Sequence, residues 1–288
     1  MSILPQLTRR SLRIVALPLV TAHKTTGRPS TDTGHLTYYH FVTPPAGEES
    51  KDGWSQWAVN KASDLWTGFG KAPEGHWKRR TFLYGQRLND RIDFEELALK
   101  SLDPSLGPTL TRFGKSESDI KPEEHEPIPL IYPSTQCTLP LDHIHTLVEK
   151  RTPRHRRGIY TWLLVSPLTA PFMIIPIIPN LPFFFCIWRA WSHWKAYKSS
   201  SYLGQLLQKG AIVPQPSEEL DAVYKKYSSK TEPSKESPGR KLLLTKEAVP
   251  ELMALFDLKP DSGFATDVYR ALEQARLRLE QARPDIEK

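Results

Sequence analysis

Hydrophobic and polar positions change period several times along the chain, and each change predicts an element. Residues 12 to 20 (LRIVALPLV) and 36 to 42 (LTYYHFV) are short branched and aromatic runs separated by a Gly/Thr/Ser/Pro-rich stretch, which predicts two strands of a hairpin. From Trp54 onward, Trp57, Ala58, Ala62, Leu65, Trp66 and Phe69 recur at three- and four-residue steps, the period of an amphipathic helix. Trp77, Leu83, Leu88, Ile92 and Leu97 predict more helix. Asp93 and Glu96 are spaced there as a capping box ahead of residues 97 to 102, and Asp103-Pro104 is the stop. Residues 115 to 129 are acidic and proline-bearing and read as a solvated loop, followed by a short strand at 130 to 132. Leu141, Ile144, Leu147 and Val148 form a helical face expected to end by Thr152, where Thr152-Pro153 reads as the cap and first-turn proline of another helix. Beyond a polar linker at 228 to 241, residues 246 to 256 and 264 to 282 read as helices. In the second, Val268, Leu272, Ala275, Leu279 and Ala282 form one stripe that packs on the first helix or on a partner.

The longest apolar block, residues 159 to 188 (IYTWLLVSPLTAPFMIIPIIPNLPFFFCIW), holds thirty positions without a charge or a histidine. About twenty helical residues at ~1.5 Å each cover the ~30 Å hydrocarbon layer, so this block is long enough to span a membrane. Arg151, Arg154, Arg156 and Arg157 precede it; Arg189, Lys195 and Lys198 follow it. Basic flanks on both sides favour a hairpin with both ends on one face over a single span. Pro176, Pro179 and Pro182, around Asn180, mark the break, because each proline removes a helical hydrogen bond. The second leg has only residues 181 to 188 before Arg189. Extending it to Trp194 requires Arg189 to snorkel or to face protein.

The expected fold class is therefore a mainly α membrane protein with one proline-broken transmembrane hairpin or single span, a small N-terminal β-hairpin and C-terminal helices. Its expected divisions are a mitochondrial presequence at 1 to 11, an N-terminal α+β region at 12 to 157, the membrane segment at 158 to 198, juxtamembrane helices at 199 to 227, the linker at 228 to 241 and a C-terminal helical appendage at 242 to 288. The presequence rests on Arg9 and Arg10, and on the lack of any acid before Asp32 in a Ser/Thr-rich stretch.

Composition narrows the picture. The 288 residues carry a net charge of +7, which favours an anionic partner. Nucleic acid is not expected as that partner: the arginines abut the apolar block, and no nucleic-acid-binding motif occurs. Two cysteines are too few for a disulfide framework, and 26 prolines with a mean hydropathy of -0.45 exclude a polytopic carrier. Asp142, His143 and His145 are metal-type residues, but positions two apart face different sides of a helix, so no metal site is expected. Gly68, Gly70 and Gly75 match no dinucleotide fingerprint, and neither a phosphate loop nor paired cysteines occur, so no cofactor and no enzymatic activity are expected.

The PIIPNLPFFF core (176 to 185), the following WRAWSH (188 to 193), the upstream FEEL (94 to 97) and residues 12 to 19 together resemble the fungal mitochondrial potassium/proton exchange-related proteins. The similarity extends over about residues 11 to 210. It implies an inner-membrane protein needed for electroneutral exchange of matrix potassium for protons and implies no catalytic residues; in that membrane the basic flanks are expected to face the matrix, the side from which the segment inserts. Exchange normally needs a titratable group within the membrane, and the apolar block has none. The expected role is an accessory or regulatory subunit acting with a membrane-protein partner or by self-association. The alternatives are a directly transporting oligomer, with Thr161, Ser166, Thr169 and Asn180 as ligands and His193 as proton carrier, or a membrane scaffold or lipid-binding protein. Arg151, Arg154, Arg156, Arg157 and Arg189 are expected to set topology or to meet anionic lipid such as cardiolipin, near which each basic residue contributes about 1 kcal/mol.

Overall fold

The computed structural model describes residues 12–20, 36–43, 54–108, 127–169, 181–228 and 241–281, which fall into two compact units. The smaller unit, within residues 44–93, is a pair of helices, α1 (Trp54–Gly70) and α2 (Trp77–Asp90). Aromatic side chains hold it together, with Trp66 5.2 Å from Phe82 and Phe69 edge-on to Trp77 at 5.6 Å between ring centroids. Gly75 in the connection has φ +84°, a left-handed turn conformation that favours glycine.

The larger unit is built on a mixed four-stranded sheet in the order β2-β1-β3-β4. Strand β1 (Arg13–Pro18) pairs antiparallel with β2 (Thr37–Val42), with Ile14 opposite Phe41 and Leu17 opposite Tyr38. It pairs parallel with β3 (Ile128–Tyr132), which in turn pairs parallel with the edge strand β4 (Ile212–Pro216). Prolines 214 and 216 fall on that edge, where a missing N–H costs least. Strand β1 is buried from Ile14 to Leu17, which is why its sequence is a continuous apolar run and not an alternation. The two N-terminal strands are thus half of a larger sheet, not a free-standing hairpin.

The crossover from β3 to β4 is long, because it contains α4 (Pro140–Val165) and α5 (Leu181–Gln208). These two helices run antiparallel and in contact: Thr152 Oγ1 lies 2.5 Å from Ser200 Oγ, and Trp162 meets Phe185 edge-on at 5.4 Å. Helix α3 (Phe94–Ser101), α6 (Glu218–Ser228), α7 (Val249–Leu255) and α8 (Phe264–Gln281) complete the unit. Phe264, Val268, Ala271, Leu272 and Ala275 of α8 share one core with Ile14, Leu17 and Tyr38 of the sheet. Val268, Leu272 and Ala275 of the predicted stripe therefore face the sheet as well as α7, and Ala282 lies outside the described residues.

Two expectations are corrected. Helix α4 does not end at Thr152: it runs through Pro153 as one helix of 26 residues. The Thr152 hydroxyl donates to the Val148 carbonyl at 2.7 Å instead of capping a new helix, and Glu149, whose carbonyl Pro153 cannot serve, is exposed to water.

The larger correction concerns fold class. Among the described residues no helix is long and apolar enough to cross a membrane, so the predicted transmembrane hairpin or single span is overturned, and the fold is a mixed sheet with packed helices. Charge explains the difference. Between Gly158 and Ser166 α4 has seven residues, about 10 Å of helix against the ~30 Å a hydrocarbon core requires. Below them come Arg157, Arg156 and Arg154, while α5 carries Arg189, Lys195 and Lys198 within its first two-thirds. The predicted break at Pro176, Pro179 and Asn180 lies outside the described residues, as do the presequence, residues 115–126 of the acidic loop and most of the linker, whereas the last two loop positions, 128 and 129, belong to β3.

Candidate functional site

The polar centre of the larger unit lies where α3 meets the α4–α5 pair. Three residues of this centre, Glu96, His155 and His193, are 4%, 1% and 7% exposed. Helix α3 supplies two adjacent acids: Glu95 pairs with Arg151 of α4, and Glu96 pairs with Arg189 of α5. The second pair is bidentate. Both guanidinium nitrogens of Arg189 donate to the Glu96 carboxylate, Nη2 reaching Oε2 at 3.0 Å, and Ser192 Oγ lies 3.3 Å from Oε1. Ser199 Oγ donates to the Leu102 carbonyl at 2.8 Å just beyond the end of α3, tying that end to α5.

His155 and His193 face each other across the helix pair with their Nδ1 atoms 3.1 Å apart. At that distance one Nδ1 carries a proton and the other accepts it, so the two imidazoles are opposite tautomers. Close approach of the helices makes this contact: a Cβ on Gly158 would lie 2.7 Å from the His193 ring, so α4 needs glycine there. His155 Nε2 is buried and has no hydrogen-bond partner.

Burial pushes the Glu96 carboxyl up, but the Arg189 hydrogen bond and charge, helped by the two histidines, outweigh it and hold it below the usual carboxylate range. Burial lowers both histidines, His155 to about 4. Glu96 opposes that shift; Arg151 and Arg154 reinforce it at His155, and Arg189, Arg154 and Lys100 at His193. Lys100 is itself brought down to about 8 by burial.

These directions fix a pH dependence. A histidine depressed in the folded state contributes stability that is fully present above about 6.5 and is lost as pH falls towards the folded value, because the unfolded chain binds the extra proton. For His155 alone the loss between about pH 6.5 and 4 is on the order of 3 kcal/mol. Urea unfolding should therefore show stability falling across that window, and the double variant His155→Gln, His193→Gln should flatten the fall. His40, buried against Phe264 and also lowered to about 4, leaves a residual slope of the same sign. An unchanged slope in the double variant would contradict the assignment.

Glu96, His155 and His193 offer ligand atoms that all lie within 4.8 Å of one another, the donor set of a two-histidine, one-carboxylate metal site. The surrounding charge disfavours a divalent cation: Glu96 is already neutralised by Arg189, and Lys100, Arg151 and Arg154 add positive charge. What the arrangement does chemically is to hold a neutral imidazole pair against a paired carboxylate and so to lock α3, α4 and α5 together.

The structure gathers few of the other predicted residues. Thr161, Ser166 and Thr169 donate to the carbonyls of Arg157, Leu163 and Ser166 within their own helical turns. Arg154, Arg156 and Arg157 are exposed, Arg151 and Arg189 are turned inward onto the acids of α3, and Pro182 lies in the first turn of α5. Asn180, Pro176 and Pro179 lie outside the described residues. Sequence reasoning missed Glu96, because its spacing from Asp93 fits a helix cap. In the structure the Glu96 carboxylate meets Arg189, and the backbone N–H of Phe94 at the start of α3 donates to Gln274 Oε1 at 3.0 Å.

A family model described as mitochondrial K+-H+ exchange-related matches residues 13–207, a range that contains β1, β2, β3, α3, α4 and all but the last residue of α5. An uncharacterized protein of Saccharomyces cerevisiae is 28% identical over 258 residues, covering 82% of this chain and 80% of its own length. An uncharacterized protein of Schizosaccharomyces pombe is 24% identical over 176 residues, covering 59% of this chain and 70% of its own. No solved structure matches. With the matched range spanning two-thirds of its length, this chain belongs to the mitochondrial K+-H+ exchange-related family.

Proposed function

We propose that this chain supports mitochondrial potassium/proton exchange, and through it matrix volume and cation balance, as an accessory or regulatory component at the inner membrane. It acts with a membrane-protein partner or by self-association, and it carries out no enzymatic step. Family membership supports the link to exchange. One observation favours an accessory role over direct transport: Glu96, His155 and His193, the titratable groups gathered between the helices, are buried, and the Glu96 carboxylate is already held by Arg189. An exchange pathway instead needs titratable and ligating groups that water can reach from both sides. A histidine pair depressed below its ordinary range is neutral near neutral pH and serves as a packed hydrogen bond, not as a carrier alternately loaded and emptied.

The test is the purified full chain added to potassium-loaded vesicles that enclose a pH-sensitive dye. The accessory reading expects no potassium-driven pH change above protein-free vesicles. A saturable pH change that depends on the chain would overturn that reading and favour a directly transporting oligomer.

A further inference from the structure

The remote end of the α4–α5 hairpin exposes large apolar side chains that the core does not use. On α4 and the turn that follows it, Tyr160, Leu163, Leu164 and Leu168 all face solvent, Leu164 and Leu168 at 77% and 75% exposure. On α5, Phe184, Ile187, Trp191 and Trp194 are exposed at three- and four-residue spacing, which places them in one stripe running down from the tip. Monomeric surfaces rarely leave so many neighbouring large apolar groups in water unless something covers them.

Charge identifies what covers them. Between Glu149 and Glu218 the chain has no acid at all but nine lysines and arginines. Two of these, Arg189 and Arg151, are used internally on Glu96 and Glu95. Arg154, Arg156 and Arg157 are exposed below the apolar tip. On the facing helix Lys195 lies over Trp191, and Lys198 over Trp194, at 5.9 and 5.6 Å from the ring centroids. From the tip downward come aliphatic and phenyl groups, then a level shared by Trp191, Trp194 and the exposed arginines, which the contact between His155 and His193 places opposite them, and then Lys195 and Lys198. That order matches the layers of an anionic bilayer surface, with acyl chains, the interfacial region where tryptophan concentrates, and phosphate head groups. The apolar end of each helix, about 10 Å long, suits the ~5–10 Å depth of an interfacial insertion.

We propose that this end of the hairpin docks on an anionic phospholipid surface, entering one leaflet without crossing it. The docking deepens the inner-membrane part of the function proposed above. It can fail separately, because lipid binding is measured without any ion gradient.

The experiment is co-flotation of the full chain with vesicles of phosphatidylcholine alone and of phosphatidylcholine mixed with cardiolipin. Binding to the mixed vesicles, weakened by salt, is expected, with little to phosphatidylcholine alone. Leu164→Ser with Leu168→Ser should lower the partition coefficient at least about tenfold. Arg154→Gln, Arg156→Gln and Arg157→Gln together should lower it by more than about tenfold and reduce the salt dependence. All five side chains are exposed, so the variants should keep the wild-type unfolding curve at neutral pH, where the histidines that Arg154 influences are uncharged, and that curve serves as the control for folding. Three results would overturn the proposal: no binding by the folded chain, equal binding to both vesicles, or binding indifferent to the leucine substitutions. A vesicle-free dimer that the leucine substitutions dissociate would assign the face to a second copy and overturn it as well.

Discussion

Replacing Glu96 by alanine should cost about 3–5 kcal/mol of stability in urea unfolding, among the largest effects of any single substitution in this chain. Arg189→Met should cost a similar amount. Either change strands a charge at a site where the Glu96 side chain is 6% and the Arg189 side chain 18% exposed, and the remaining partner then lacks its bidentate hydrogen bonds. Removing both charges should recover most of the loss. Desolvating two ions consumes much of their attraction, so Glu96→Leu combined with Arg189→Met leaves packed apolar groups in place of a pair of modest net worth. The coupling extends further than the pair. Ser192 also reaches the Glu96 carboxylate, and the same carboxylate favours the protonated forms of His155 and His193. Glu96→Leu with Arg189→Met should therefore also change the acid limb of the stability curve. Single variants that cost less than about 1 kcal/mol would show that the pair behaves as a surface ion pair and not as the lock between α3 and α5.

Periodicity made the local elements legible. Strands β1 and β2 and helices α7 and α8 follow from buried runs or from a single stripe, such as Val268, Leu272 and Ala275, and α1 follows from its period alone, with Trp57, Leu65 and Trp66 exposed. The sheet was less legible, because strands β3 and β4 are five residues each, contain prolines and pair only after a crossover of about eighty residues. Nothing local in IPLIY or IVPQP specifies that pairing.

The membrane reading failed for an identifiable reason. Hydropathy sums an uncharged run without regard to where helices turn, and this run is divided between the end of α4 and the start of α5. Arg189 was the visible clue: a charge beside eight apolar residues needs a partner, and the requirement that it snorkel or face protein is met by Glu96. That partner lies 93 positions away, and His155 and His193 lie 38 apart, so no motif links them. The site is a product of packing: Gly158 lets α5 approach, and Ser192, Ser199 and Ser200 keep the contact narrow.

Support of potassium/proton exchange by this chain predicts the other large effect. Acetic acid crosses the inner membrane uncharged and releases its proton in the matrix; potassium then enters only as fast as that proton is exchanged, and water follows. Mitochondria lacking the chain should swell slowly or not at all in potassium acetate. They should swell normally in ammonium acetate, where ammonia crosses uncharged and itself takes up the proton in the matrix, so no exchanger is required. Re-expression of the chain should restore swelling, and so should an added ionophore that swaps potassium for protons, which shows that the membrane is intact. The most direct measurement is thus the initial swelling rate in potassium acetate with and without the chain: loss that the ionophore rescues is the predicted result, and a rate equal to that of the wild type would contradict the account.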